Sequence, residues 1–396
     1  MEKEIFEKAE KKLRELFGEQ PPVEILKRFE TEKKMLSGEE LLLWMDFLGE
    51  AYEQVSKNDG FLINMNPRMG ASLIAWLLGG NDINPLEAHY YCPACKKVEF
   101  IPNARCGYDA PDKKCLCGMT YEKDGFGIDA VHMQPTAGGG QVLVSSGVKD
   151  AVKDRFYKYF GKYGAIRQVK MTDDENCMNG SIEYYGVMPG DMALNYPEEV
   201  LVTNFSEFCD KFLKVHYLSV ELMPEQVPLH EMKLKNYSLD EIRSYAKYAL
   251  DQGYFKDEEA EADISDVVQS LPNPTFSDLI DVYGMMKGSG TWNGNGENLY
   301  AKGISLAALI SNRDDVYEHL FDKIKDSEKA YRIKERLRKG FYSVKGKGMP
   351  DEVEVILKES GVEDWYVESM KKIIYLDSKA HIVTCLKMDI AKYLIR

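Results

Sequence analysis

The pattern Cys92-Pro-Ala-Cys95 followed by Cys115-Leu-Cys117-Gly118 constrains this chain more than any other local feature. Two thiol pairs, each on a tight turn and brought together by an intervening hairpin, supply the four soft ligands that tetrahedral Zn²⁺ takes. A redox disulfide pair and inert thiols are the other readings of the same residues. The second pair is Cys-x-Cys where Cys-x-x-Cys is usual, so the spacing strains the site or recruits Cys106 or His89 as a substitute, Cys106 first. Closed four-ligand sites fold small modules and do no chemistry of their own. The expected cofactor is structural zinc, held by Cys92, Cys95, Cys115 and Cys117 in a module at residues 90–121.

At 396 residues the chain exceeds the roughly 100–200 of one ordinary domain, so two or three sub-structures are expected. Its 44% hydrophobic and 29% charged residues exclude a wholly disordered or low-complexity chain. The longest apolar runs, Leu41 to Met45 and Ser72 to Leu78, fall far short of the roughly 18 residues of a membrane span. Met1 to Phe6 reads as the start of a charged amphipathic helix and not a signal peptide, so a cytoplasmic location with reduced thiols is expected. The formal charge of −14 argues against coating nucleic acid through overall charge. The segment from Phe321 to Gly348, however, holds ten basic residues against four acidic ones. An acidic body with one basic segment touches an anion locally, or presents a solvated helix face.

Apolar spacing predicts amphipathic helices over residues 1–20 and 41–55. Phe61 to Ile63 reads as a strand, Asn64 to Gly70 as a loop, and Ala71 to Leu78 as an apolar helix closed by Gly79-Gly80. A strand, a glycine-bearing loop and a helix N-terminus make either an anion site or a plain connection. Gln141 to Val144, Ser181 to Val187 and Leu218 to Met223 are strand candidates, and from Ser238 onward the patterns are helical. Thr275-Phe-Ser-Asp278 is a capping box that starts a helix. The acidic run Asp257 to Asp263 reads as a solvated helix face. His132, His216, His230 and His319 have no partner at metal spacing, and Cys177, Cys209 and Cys385 read as small buried hydrophobes.

Taken in order, several longer motifs resemble one family. Asn81-Asp-Ile-Asn-Pro-Leu-Glu-Ala-His-Tyr-Tyr-Cys-Pro-Ala-Cys95, Tyr108-Asp-Ala-Pro-Asp-Lys-Lys-Cys115 and Lys123-Asp-Gly125 resemble the polymerase core of the PolC-type DNA polymerase III alpha subunit, the C-family replicative polymerase of bacteria. Pro274 to Leu279, Gly294-Asn295, Arg313-Asp-Asp315, Trp365-Tyr366, Lys371 to Ile373 and Lys379-Ala-His381 look like successive landmarks of its fingers. Collinearity over most of the chain makes the resemblance far more specific than any one motif. It implies an α/β palm, a mixed sheet with helices carrying the inserted zinc module, followed by an α-helical fingers region. The corresponding boundaries are residues 1–225 and 226–396.

The departures from the family carry equal weight. Palm carboxylates of such polymerases hold two Mg²⁺ ions that activate the primer 3′ oxygen and stabilise the leaving pyrophosphate. The resemblance aligns Gln141 and Leu143 with the two paired aspartates, and a neutral amide and an aliphatic chain offer no charge to a hard cation. The third aspartate corresponds to Glu221. In the family's phosphate loop, matched here by Asn64 to Ser72, Gly70 and Ser72 survive while Asn66 stands in place of an arginine. Met171 to Gly180 is too short for the family's helical thumb, and neither the upstream nuclease domains nor the downstream duplex- and clamp-binding parts are matched. Arg336, Arg338, Lys339 and Lys347 lie near the family's basic fingers motif, and Lys379 and His381 match its Lys-Ala-His; the resemblance implies contact with phosphate or template.

The expected function is a catalytically degenerate PolC-like scaffold of bacterial or phage origin that binds single-stranded or primed DNA, or a replication protein, without Mg²⁺. One alternative is a minimal active DNA polymerase whose metal site combines Glu221 with Asp129 or Glu183. The other is a zinc-dependent interaction or inhibitory module that mimics the polymerase.

Overall fold

The computed structural model describes residues 1–58, 60–134, 140–160, 234, 236–257, 262–343 and 345–395, together with the backbone of strands 163–169, 181–187 and 215–223. Three helices open the chain: α1 (Glu2–Phe17), α2 (Val23–Leu36) and α3 (Glu40–Ser56). In α1, Ile5, Phe6, Ala9, Leu13 and Phe17 recur at three- and four-residue intervals, so one stripe is buried. The same rule buries Leu41, Trp44, Phe47, Leu48, Ala51 and Val55 of α3, as the spacing predicts. Helix α5 (Lys149–Phe160) completes this aromatic core, with Phe160 stacked on Trp44 at 4.5 Å between centroids.

Helices α3 and α5 cover one face of a five-stranded sheet formed by β1 (Leu62–Asn64), β5 (Gly140–Ser145), β6 (Tyr163–Val169), β7 (Ser181–Val187) and β8 (Val215–Met223), in the order β1-β5-β8-β7-β6. The β5–β8 pair is parallel and the others antiparallel. Period-two alternation sends Val142 and Val144 into the main core and Leu143 to the opposite face. The apolar stretch expected as a longer helix is a 3-10 turn, Met69–Ala71, leading into the short α4 (Leu73–Leu77).

Strands β2 (His89–Tyr91), β3 (Val98–Phe100) and β4 (Glu122–Asp124) form a small sheet in the order β3-β2-β4, so the cysteine pairs are joined by three strands rather than one hairpin. It has its own core of Tyr90, Cys92, Ala110, Cys115 and Tyr121. Tyr91 donates its hydroxyl to the Leu16 carbonyl at 2.9 Å, which ties the module to α1.

Helices follow, as expected: α6 (Leu239–Asp251), α7 (Ser265–Ser270), α8 (Phe276–Lys287) and α9 (Glu297–Ala301). Thr275 and Asp278 form the expected capping box of α8, and Asp109 also accepts from the Phe276 N–H at 2.7 Å. Of the acidic run only the ends are described, and they are strands rather than the expected helix face. Its ends pair as the antiparallel strands β9 (Lys256–Asp257) and β10 (Ala262–Asp263), because the fully buried Phe255 and Ile264, joined by a 3.0 Å backbone bond, draw them together.

A second apolar core comprises buried residues from Ile310 to Leu376, contributed by α10 (Arg313–Ile324), α11 (Ser327–Leu337), α12 (Asp351–Glu359), α13 (Asp364–Met370) and their connections. The chain then returns to the first core through α14 (Lys379–Leu394). Gly340, at φ 69°, lets the turn after α11 approach the Ile374 carbonyl, which an added Cβ would meet at 2.4 Å. No helix among the described residues is long and apolar enough to cross a membrane.

Candidate metal centre and nucleic-acid interface

Strand pairing sets Leu143 beside Glu221 and Gln141 beside Ser219, while the next strand sets Ser181 beside Glu221 and Glu183 beside Ser219. Positions 141, 143, 183, 219 and 221 therefore share one face of the sheet. Gln141 is exposed there. Leu143 is only 2% exposed and packs with Phe61, Ile63, Met388 and Ala391, so α14 covers this part of the face with apolar side chains. Asp129 stands elsewhere, capping the 3-10 turn Ala130–Met133 by accepting from the Val131 N–H at 2.7 Å. The Met171–Gly180 connection, Cys177, Cys209 and His230 lie outside the described residues, as does the His216 side chain.

The N-terminus of α4, where strand and loop could have made an anion site, is filled from within. The fully buried Glu32 carboxylate accepts from Ser72 Oγ (2.8 Å), Leu73 N (2.9 Å) and Ile74 N (3.0 Å). Arg28 neutralises it at 2.5 Å and spends its other nitrogens on the Ile128 and Ala71 carbonyls. Gly70 serves packing: an added Cβ would meet the Ala380 Cβ of α14 at 2.6 Å.

The four cysteines converge. Cys92, Cys95, Cys115 and Cys117 bring their sulfurs within 4.8 Å of one another. The Cys92–Cys117 and Cys95–Cys115 separations are 3.5 and 3.4 Å. A tetrahedron with metal–sulfur bonds of about 2.3 Å has edges of about 3.8 Å, so the group is close to the size a tetrathiolate metal site needs. The N–H of Cys117 and the Tyr121 hydroxyl bring the Cys115 thiol down to about 6, and the Cys95 N–H lowers Cys92. Against the N–H groups of Lys97 and Met119, the neighbouring sulfurs push Cys95 and Cys117 up. A cation at the centre removes that repulsion.

Neither substitute ligand joins this group. Cys106 is fully buried and accepts from the Tyr108 N–H at 3.4 Å, and His89 directs Nδ1 to the Glu87 carbonyl at 2.7 Å. Cys385 is partly buried, 3.6 Å from His381 Nε2.

The basic residues divide by environment. Arg336, Lys339 and Lys347 are exposed, and among the described residues none makes an ion pair. Arg338 is held by Glu335 at 2.8–2.9 Å. Burial would raise the Glu335 carboxyl, but Arg338 and Lys334 bring it down to about 2. Lys379 turns inward, 6% exposed, with Nζ 3.4 Å from Asp315. It joins a buried network in which Arg105 grips Asp281 through two bonds of 2.6 and 2.7 Å and Ser311 donates to the same carboxylate.

Two arginines that the sequence reading gave no binding role belong with Arg338. Arg68, from the loop after β1, has its guanidinium pKa lowered by burial and then by the like charges of Arg313 and Arg338. The charges of all three arginines also reach Tyr331, and those of Arg313 and Arg338 reach Tyr375. Arg68, Arg313 and Arg338 thus lie within electrostatic range of Tyr331, with Glu335 paired to Arg338 and Asp314 3.6 Å from Arg313. The signal lay in Arg68 and Arg313 themselves, but no sequence pattern joins residues so far apart.

The collinear motifs are matched in turn by known proteins, and these are DNA polymerases. The chain is a divergent homologue of the PolC-type DNA polymerase III enzymes. It is 28% identical over 448 aligned residues to the DNA polymerase III PolC-type of Ureaplasma parvum, covering 93% of this chain and 30% of that protein. Identities of 24% and 25% relate it to the same enzyme of Caldanaerobacter subterraneus subsp. tengcongensis and of Bacillus cereus, covering 96% and 94% of this chain and 32% and 30% of those proteins. The chain thus spans less than a third of the length of these curated relatives. No family model matches it.

Proposed function

We propose that this chain is a catalytically degenerate palm-and-fingers body that binds single-stranded or primed DNA, alone or with a replication protein, and does not extend primers. The observation that carries this reading is Leu143, buried among apolar side chains beside the Glu221 register position where the family's metal-binding aspartate is aligned. Nucleotidyl transfer of this kind draws its catalysis from metal ions held by oxygen ligands, and Leu143 supplies none. In this reading residues 1–225 are the palm with its zinc module at 90–121, and 226–396 are the fingers. The four cysteines hold structural zinc, the commonest tenant of a closed tetrathiolate site. Arg336, Arg338, Lys339 and Lys347, with Arg68 and Arg313, meet the DNA backbone, whereas Lys379, turned inward against Asp315, does not.

The test is primer extension with Mg²⁺ or Mn²⁺ alongside DNA binding over a salt series. No extension above background is expected, with binding to primed DNA that is no tighter than about micromolar at physiological salt and weakens steeply as salt rises. Extension that disappears in Glu221→Gln or Glu183→Gln would overturn the reading in favour of a minimal polymerase, for which those two positions share a face. Undetectable DNA binding at low salt would leave the zinc-dependent protein-interaction module.

A further inference from the structure

The four cysteines differ in exposure in a way that a purely structural site does not require. Cys92 and Cys115 are buried, whereas Cys95 and Cys117 are exposed. Each exposed cysteine has its sulfur close to that of a buried cysteine from the other pair, Cys117 at 3.5 Å from Cys92 and Cys95 at 3.4 Å from Cys115. Leu116, between the last two cysteines, is 96% exposed, so the turn that carries Cys117 stands open to solvent. The arrangement offers an entry sulfur and a resolving sulfur twice over.

We propose that this knuckle is a peroxide-sensitive modification site in which Cys117 pairs with Cys92, and Cys95 with Cys115, with expulsion of the metal; the proposal rests on the zinc reading above. In the first step an exposed thiolate, Cys117 or Cys95, attacks one oxygen of hydrogen peroxide. An S–O bond forms, the O–O bond breaks and hydroxide leaves, so the sulfur becomes a sulfenic acid and the peroxide is reduced by two electrons. In the second step the buried neighbour's thiolate attacks that sulfur, forming the S–S bond and releasing a second hydroxide. The two hydroxides take up two protons from the buffer and leave as water. One peroxide is consumed for each disulfide, and a disulfide sulfur no longer carries the thiolate charge that binds Zn²⁺.

The cross-pairing has a structural consequence. Disulfides within Cys92-x-x-Cys95 or Cys115-x-Cys117 would leave the two turns unconnected. The cross pairs instead span sequence separations of 25 and 20 residues and keep the turns joined once the metal has gone. The oxidised module therefore keeps its fold and its attachment to α1 through Tyr91 and to α8 through Arg105 and Asp109.

Zinc content of the purified full chain is measured first, and the protein is then titrated with hydrogen peroxide while released zinc is followed with a chromophoric chelator. Non-reduced peptides are mapped by mass spectrometry. Release of the bound zinc is expected within about one to two equivalents of peroxide consumed, with Cys92–Cys117 and Cys95–Cys115 as the major linkages and Cys106 unmodified. Dithiothreitol with added zinc should restore the original content. Cys117→Ser should abolish the first linkage and keep the second, and if that variant fails to fold, the wild-type map decides alone. Zinc retained while peroxide is consumed, a predominant Cys92–Cys95 or Cys115–Cys117 linkage, or sulfinic acids at Cys95 and Cys117 would each overturn the proposal. Less than one equivalent of zinc before peroxide is added would overturn the zinc reading itself, and with it this proposal.

Discussion

His132 shows how burial sets the behaviour of a single residue. Read in sequence as an unpartnered histidine, it is buried between Tyr317, whose ring meets it edge-on at 5.2 Å, and Asp314, whose Oδ1 is 3.2 Å from Nδ1. Burial brings its pKa down to about 4, although Asp314 pulls the other way. The unfolded chain takes up a proton on this ring near its ordinary value of about 6.5, so stability falls as pH drops from 6.5 toward 4. The expected loss is about 2 kcal/mol between pH 7 and pH 5, and urea unfolding of His132→Phe at both pH values should show that part of the dependence gone. Glu32 is the second residue of this kind. Glu32→Ala leaves Arg28 and two α4 N–H groups without their partner and should cost about 3–5 kcal/mol by urea unfolding; a loss under about 1 kcal/mol would contradict its role as internal anion.

Among the elements, α11 concentrates the basic charge that stands out against the acidic body. Its C-terminal end carries Arg336 and Lys339 into solvent, while Lys334 is buried against Glu335 and the Tyr331 ring. Replacing Arg336, Arg338 and Lys339 together by Gln should shallow the salt dependence of DNA binding by roughly two to three, because each lost phosphate contact removes about 0.7–0.9 from the slope. Fluorescence anisotropy with labelled single-stranded DNA over a salt series measures this, and an unchanged slope would move the binding surface elsewhere. The amphipathic helices, the α8 capping box and the cysteine module were legible because each is written in neighbouring residues. The described ends of the acidic run form strands rather than the expected helix because Phe255 and Ile264, which draw them together, flank the run rather than lie within it. Cys-x-Cys suggested either a strained site or a substitute ligand, Cys106 or His89, yet the tight turn closed by Gly118, at φ 91°, brings Cys117 into the group.

Across the whole molecule, ion pairs join what the apolar cores keep separate. Arg105 comes from the cysteine module and Asp281 from α8, while Asp315 and Lys379 add α10 and α14 to the same network. Burial works against both charges: Asp281 still raises the Arg105 pKa above its ordinary value, whereas burial outweighs Arg105 at Asp281 and pushes that carboxyl up to about 6. Arg105→Ala leaves a carboxylate that is only 1% exposed without its main partner. A destabilisation of about 3–5 kcal/mol is expected, and Arg105→Lys should recover only part of it because a single ammonium cannot supply both bonds. Thermal and urea unfolding of the two variants measures the difference.

The amino-acid sequence by itself determined the amphipathic helices, the four-cysteine group, the collinear likeness to PolC-type polymerases and the local concentration of basic charge. Each follows from spacing or residue type within a short stretch, where backbone geometry and side-chain chemistry act directly. Only the tertiary structure decided that Glu32 fills the α4 N-terminus, that α14 buries Leu143 on the sheet face, that Lys379 turns inward, and that Arg68 and Arg313 stand with Arg338. Those outcomes depend on which distant segments share a boundary, and burial and like charge act through space rather than along the chain.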